Sequence, residues 1–408
     1  VRALRARHGI RARYAAWAGL RDITRPLLWI HAPSVGEGLQ ARPLLELIRQ
    51  RHPEIQLAFT FFSPSAEGFA HSLAVDFADY LPFDTPGDVG VALDALRPTA
   101  LVFSKTDAWP VLMEQAASRG VKVGMISGTL SPVSSRQGAL ATRLLQASYA
   151  LFDMVGAVSS EDAERLVRLG VRPEALVVTG DTRYDQVWER ARVVDRTSPL
   201  LTPLRGRATL VAGSTWPSDD EVLLPAWVAL LRDYPELRLV IAPHEPEPRV
   251  VGAIEHWSEQ QRLRSARLAA GADALLRADV VVVDRVGVLG DLYAAASVAF
   301  VGGGFHDAGL HSVLEPAAFG LPVAFGPRHA SSRDAQLLLK AGAARSVATV
   351  DETVEVLGQW FGDEAARASA GQAARALVEA GTGAAERTLE LVLRLLGYPA
   401  PTSSGEPR

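Results

Sequence analysis

The sequence predicts an α/β protein made of two Rossmann-like, doubly wound domains. Three observations carry that expectation. The chain has 408 residues, which suits two or three domains. Its apolar stretches are continuous runs of Val, Ile, Leu, Phe and Ala rather than strict alternations, as parallel strands buried on both faces require. The strand–helix alternation also runs once, breaks in a charged stretch from Tyr184 to Arg207, and then restarts.

Taken in order, residues 1–26 form a basic segment. Residues 1–25 hold seven arginines (Arg2, Arg5, Arg7, Arg11, Arg13, Arg21, Arg25) against Asp22 alone, on a chain whose net charge is −4. Leu4, Ile10, Tyr14, Trp17 and Leu20 add apolar groups at loosely helical spacing. Such a segment suits either an anionic membrane surface or a solvated helix packed on its own domain.

The first domain is expected over 27–195, with strands at Leu27–Ala32, Gln56–Phe62, Ala100–Ser104, Lys122–Ser127, Met154–Val158 and Ala175–Thr179. The second is expected over 205–396, with strands at Thr209–Gly213, Arg238–Pro243, Val280–Asp284, Val298–Gly302 and Pro322–Phe325. An Ala-rich helical stretch, Asp363 to Leu396, closes it, and 397–408 reads as a frayed tail. Ligands of such sheets bind beyond the carboxyl ends of the strands, so a cleft between two facing domains is the expected site.

Composition narrows the function. A hydrophobic share of 48% and a charged share of 22% exclude wholesale disorder, and the mild negative charge gives no general case for nucleic acid. With no cysteine there is neither a disulfide framework nor a thiolate metal site. No apolar run reaches the 18 or so residues of a membrane span. P-loop, G-x-G-x-x-G and His-x-x-x-His patterns are missing from useful positions, which argues against a P-loop NTPase, a simple dinucleotide enzyme and a zinc hydrolase.

The richest stretch is Val298 to Pro327. An apolar strand runs into Gly302, Gly303 and Gly304, then a polar loop, then a helix expected from about Ser312. Glycines allow a sharp turn and let a ligand approach backbone N–H groups, and a helix start favours an anion such as phosphate. His311 and Glu315, four apart, would share a helix face, with Glu315 placed to hold sugar hydroxyls. Ser312 and Glu315 equally fit a capping box.

Other strand ends carry similar groups. His31 to Gly38 contains Ser34, Gly36 and Glu37, where Ser34–Glu37 is again a possible capping box and Glu37 a possible proton acceptor. Lys105, Asp107 and Trp109 follow another strand, as a polar pocket or a surface pair beside a half-buried ring. Gly213, Ser214 and Thr215 precede an acidic helix start and suit a phosphate. His244 and Glu245 end a further strand, too few for a metal.

The segments HAPSVGE at 31–37, GSTWPSDDE at 213–221, APHEP at 242–246 and VGGGFHDAGLHSVLEPAAFGLPVAFGP at 301–327 together closely resemble the 3-deoxy-D-manno-octulosonic acid (Kdo) transferases, from about residue 27 to 350. The segment from Thr179 to Asp185 is similar to the one that closes that family's first domain. The resemblance implies a GT-B fold and an inverting glycosyltransferase of lipopolysaccharide biosynthesis. Its first half would take the lipid A precursor and its second the donor, CMP-Kdo. It implies Glu37 as general base, with Ser34, Gly36, Lys105 and Asp107 on the acceptor side. Gly213, Ser214, Thr215, His244, Gly303, Gly304, His311, Ser312 and Glu315 would surround the donor, with Glu315 on the ribose. No metal or cofactor is implied, and the setting would be the cytoplasmic face of the inner membrane, peripherally. Where many members have Glu-x-Glu-x-Trp-Pro, this chain has Lys105 to Pro110, and where many have His-Asn it has His311-Ser312. Another GT-B enzyme using a UDP-sugar, or a non-catalytic sugar- or lipid-binding relative, is the alternative.

Overall fold

The computed structural model describes residues 7–106, 108–131, 134, 136 and 139–399. The chain divides into two compact units, one of residues 1–185 with 381–408 and the other of 186–380. Each is an α/β unit around one parallel seven-stranded sheet.

In the first unit the strands are β1 (Leu27–His31), β2 (Gln56–Phe61), β3 (Phe77–Tyr80), β4 (Ala100–Ser104), β5 (Lys122–Gly128), β6 (Met154–Ala157) and β7 (Leu176–Val178). Their order is β3-β2-β1-β4-β5-β6-β7. The chain winds one way from β1 to β3 and the other way from β4, so β1 and β4 flank the switch point where doubly wound sheets take ligands. Residues of β1, β2 and β4 are buried throughout, which matches their largely apolar sequence. β3 was not expected. Four residues long and carrying Asp79, it has no apolar run to announce it, yet it pairs with β2 at the sheet edge.

The basic segment is used structurally. Its helix, Ile10–Ala18, buries Ile10, Tyr14 and Trp17. Arg7 donates to the Leu81 carbonyl at 2.8 Å and lies over the Phe62 ring at 4.3 Å. Arg13 grips Asp79 through two bonds of 2.6 and 2.9 Å, Arg11 pairs with Asp88 at 2.6 Å, and Arg21 and Arg25 bond main-chain carbonyls. Five of the seven arginines therefore serve the unit's own packing; Arg2 and Arg5 lie outside the described residues. No described helix is long and apolar enough to cross a membrane.

The second unit has β8 (Thr209–Thr215), β9 (Arg238–Pro243), β10 (Ser265–Arg267), β11 (Val280–Val282), β12 (Val298–Val301), β13 (Val323–Phe325) and β14 (Ala344–Ser346), in the order β10-β11-β9-β8-β12-β13-β14. Here β8 sits at the reversal, between β9 and β12. β10 and β14 escaped the sequence reading because they are three-residue edge strands with one partner each and polar sequences.

The expected second domain of 205–396 needs correction at its end. The Ala-rich stretch is two helices: Glu364–Ala380 in the second unit and Ala384–Leu395, which returns to the first. Leu389, Leu391, Val392 and Leu395 of the returning helix join the first unit's core, and a Cβ on Gly124 of β5 would lie 2.7 Å from Leu395. The Asp185 carboxylate caps the helix, accepting from Gly383 N at 2.6 Å and Ala385 N at 3.0 Å. Helical periodicity reports that a face is buried, not against which sheet.

Candidate functional site

In the first unit the expected residues converge at the switch point. β1 ends at His31, and Ser34 precedes the helix Val35–Arg51, putting Glu37 in its first turn. The capping box does not form: Ser34 makes no side-chain cap, and its hydroxyl donates to the Glu37 carboxylate instead. From β4, Ser104 Oγ donates to the Glu37 carbonyl at 2.9 Å and Lys105 Nζ to the Glu37 carboxylate at 3.2 Å. Lys105 sits in the left-handed region, φ 67°, a conformation that non-glycine residues adopt sparingly and often at functional sites. Burial pushes the Glu37 carboxyl up, but the Ser34 hydroxyl and the Lys105 ammonium outweigh it and hold the group below its ordinary value of 4.5. Glu37 is thus a fixed carboxylate, its side chain 17% exposed. Gly36 beside it is exposed. Asp107, expected here too, lies outside the described residues.

His31 has a different part. It is fully buried, its Nδ1 3.0 Å from Thr60 Oγ1, with Trp109 and Phe103 edge-on to its ring. Burial drives its pKa down to about 3, so it is a neutral core group.

In the second unit a cavity of about 270 Å³ lies at the carboxyl end of β8 and β12. It gathers Gly213, Ser214, His311, Ser312 and Glu315 of the expected donor residues, together with Arg190, Leu289, Gly290 and Tyr293. Ser214, at φ 55°, is a second strand-end residue in the left-handed region. Thr215 does not line the cavity: the left-handed Ser214 breaks the extended run, and the buried Thr215 side chain faces Asp220 instead.

The glycine loop works otherwise than expected. Gly303 N donates to Asp219 Oδ2 at 2.8 Å and Phe305 N to Asp219 Oδ1 at 3.1 Å, while Trp216 N also donates to Oδ2 at 2.8 Å. A Cβ at Gly302, Gly303 or Gly304 would strike the backbone of Ser214, Gly309 or Gly326 respectively. The glycines let three backbone segments touch, and the Gly303 amide is spent on a buried carboxylate. The helix expected from about Ser312 spans only Leu314–Ala318 and starts from Val313 without a side-chain cap. His311 therefore precedes the helix and shares no face of it with Glu315, and Ser312 forms no capping box.

His311 is instead the end of an aromatic column. Trp216 stacks on His306 (4.0 Å, 3°) and on His244 (4.6 Å, 23°), and His244 stacks on His311 (4.5 Å, 28°). Trp216 Nε1 donates to His311 Nε2 at 3.1 Å. Burial, then the neighbouring His244 and His306, lowers His311 to about 4, so the ring that accepts this bond is neutral. Burial pushes the Glu315 carboxyl up, against the opposing pull of Arg190. A larger cavity of about 650 Å³, walled by Leu224, Val250, Ile254 and Trp257, holds none of the expected residues.

The family model described as 3-Deoxy-D-manno-octulosonic-acid transferase (kdotransferase) matches residues 4–186. The 3-deoxy-D-manno-octulosonic acid transferase of Chlamydophila psittaci is 31% identical over 331 residues, covering 78% of this chain and 74% of that protein. This chain belongs to the Kdo transferase family. The Haemophilus influenzae transferase of the same name is 26% identical over 398 residues, 96% of this chain and 92% of its own. Among solved structures, UDP-GlcNAc 2-epimerase from Neisseria meningitidis bound to UDP-GlcNAc has a TM-score of 0.66 at 14% identity, over 90% of this chain and 100% of that one. At that identity the likeness shows a shared GT-B-type fold alone.

As a member of the Kdo transferase family the protein is a glycosyltransferase. Glu37, Ser34 and Lys105 fall inside the segment that the family model matches. Sequence reasoning about this Kdo transferase missed Asp219 as the knot under the glycine loop, having read it only as a helix N-terminal acid. It missed Arg190 altogether, since an arginine in a charged linker gives no signal until the chain is folded.

Proposed function

We propose that the enzyme transfers Kdo from CMP-Kdo to a hydroxyl of the tetra-acylated lipid A precursor, with inversion, in lipopolysaccharide biosynthesis. The observation that carries this reading is Glu37: a carboxylate fixed by Ser34 and Lys105 at the switch point of its sheet, in a Kdo transferase family member. Glu37 takes the acceptor hydroxyl proton as that oxygen bonds to the anomeric carbon, and the bond to the phosphate breaks with its electron pair leaving on CMP. Ser34, Gly36, Lys105 and Asp107 attend the acceptor. Gly213, Ser214 and Thr215 lie by the phosphate, with Ser214 supplying the hydroxyl that faces the cavity. Glu315 holds the ribose, His244, His311 and Ser312 face the donor, and Gly303 and Gly304 support them. CMP-Kdo is a substrate, and no cofactor or metal enters the reading.

Incubating the protein with CMP-Kdo generated in situ and tetra-acylated precursor, then weighing the lipid by mass spectrometry, tests the reaction. We expect a product heavier by one or more Kdo units. Absence of product with a folded protein sinks the reading and turns attention to UDP-sugars, then to a non-catalytic binder.

We place the reaction at the cytoplasmic face of the inner membrane, peripherally. With five arginines engaged in packing, contact falls to Leu20 and Ile23, apolar side chains 80% and 64% exposed. Co-sedimentation with anionic vesicles is expected to drop on Leu20→Glu with Ile23→Glu; undiminished binding by the double variant removes that contact.

A further inference from the structure

The cavity in the second unit holds two ionic groups whose hydrogen-bonding capacity the fold leaves largely open. Arg190 enters from the helix Thr182–Val193 and is the one permanently charged group among the lining residues. Its Nε donates to Asp291 Oδ1 at 2.9 Å, which fixes the plane of the guanidinium. Its side is pressed on Gly290, where any Cβ would run into the guanidinium. Among the described residues no acceptor meets either terminal nitrogen, so a rigid pair of donors is presented at the cavity. Glu315, on the same wall set, likewise has no hydrogen-bond donor among the described residues and senses the Arg190 charge.

We infer that Arg190 reads the base of the donor nucleotide, selecting cytosine over uracil. The inference rests on the proposed CMP-Kdo donor and names a residue that reading leaves unassigned. A guanidinium offers two parallel N–H donors and can accept nothing. Cytosine presents O2 and N3, two adjacent acceptors that match the fork. Uracil carries a hydrogen on N3, so one donor of the fork meets another donor and a desolvated N–H is left unpaired. Around the fork, Gly287 and Gly290 leave room beside the apolar Leu289, while Glu315 takes the ribose hydroxyls in the same cavity. A bare surface ion pair between Arg190 and Asp291 would stabilise the fold little and would treat both pyrimidines alike.

The test is calorimetric titration of CMP and of UMP into the full chain, wild type, Arg190→Gln and Arg190→Lys. Lysine keeps the charge opposite Asp291 but loses the fork, so it serves even where glutamine perturbs folding. Wild type is expected to bind CMP about ten- to a hundredfold more tightly than UMP, and both variants to bring the two within about threefold. A wild-type preference for CMP that survives in the folded variants overturns the role of Arg190 and leaves the donor reading standing. A wild type that prefers UMP, or binds the two equally, overturns both.

Discussion

Glu37 shows how two neighbours hold a half-buried carboxyl ionised and in place. Burial alone would raise its pKa; the Ser34 hydroxyl and the Lys105 ammonium reverse the sign. Glu37→Gln keeps shape and hydrogen bonding but cannot take a proton, so kcat is expected to fall about 10²- to 10⁴-fold while CMP binding holds. Undiminished turnover removes Glu37 from the base role. The pH response follows from the same balance. A depressed carboxyl is ionised down to below 4.5, so its contribution to stability is present above the unfolded value and is lost as pH falls through the folded one. Lys105→Met leaves burial less opposed, and the acid limb of kcat/KM is expected to move to higher pH. A limb that stays in place separates Lys105 from Glu37. The spacing of Ser34 and Glu37 was legible in the sequence, but not the direction of the Ser34 hydroxyl, because a serine three residues before a glutamate suits both a cap and a side-chain bond. Lys105 was read beside Asp107, and its bond to Glu37 across two strand ends left no local pattern.

At the scale of elements, apolar strands were legible even when short, and edge strands carrying polar residues were not. β1, β8 and β12 declare themselves through runs such as Leu27–His31, whereas β3, β10 and β14 owe their strand form to the neighbour they pair with. The glycine loop was recognised and its purpose misread, since the glycines answer to backbone contacts from Ser214, Gly309 and Gly326 that no local pattern records. Asp219 is the device that joins the elements: fully buried, it ties the start of the helix Pro217–Asp233 to the loop after β12 through Gly303 and Phe305. Asp219→Asn puts an amide NH₂ where an oxygen now accepts, and because both oxygens are used, either rotamer opposes donor to donor. Urea unfolding is expected to show a loss of about 2–4 kcal/mol. The KM for donor should rise as well, since that loop leads to His311 and Glu315. A variant of wild-type stability means the Asp219 bonds contribute nothing net.

On the whole-molecule scale the two-domain reading was right and the chain's path was not. The second unit, 186–380, is an insertion between residue 185 and residue 381 of the first. The two ends of that insertion meet: Gly383 N donates to Asp185 at 2.6 Å, and Gly381 packs against the Tyr184 ring. The returning helix supplies Leu389, Leu391, Val392, Leu395 and Leu396 to the first core. Burying each such side chain is worth about 1.5–3 kcal/mol, so together they contribute on the order of 10 kcal/mol, as much as a whole domain's usual margin of about 5–15 kcal/mol. A fragment of residues 186–380 is therefore expected to unfold cooperatively by itself. A fragment of residues 1–185 should lack a sharp transition, and regain one when 381–399 is joined to it through a short Gly-Ser linker, which the adjacency of Asp185 and Gly383 permits. Circular dichroism with urea reads all three. A sharp, wild-type-like transition in 1–185 alone would mean that the returning helix only covers the first sheet and does not complete its core.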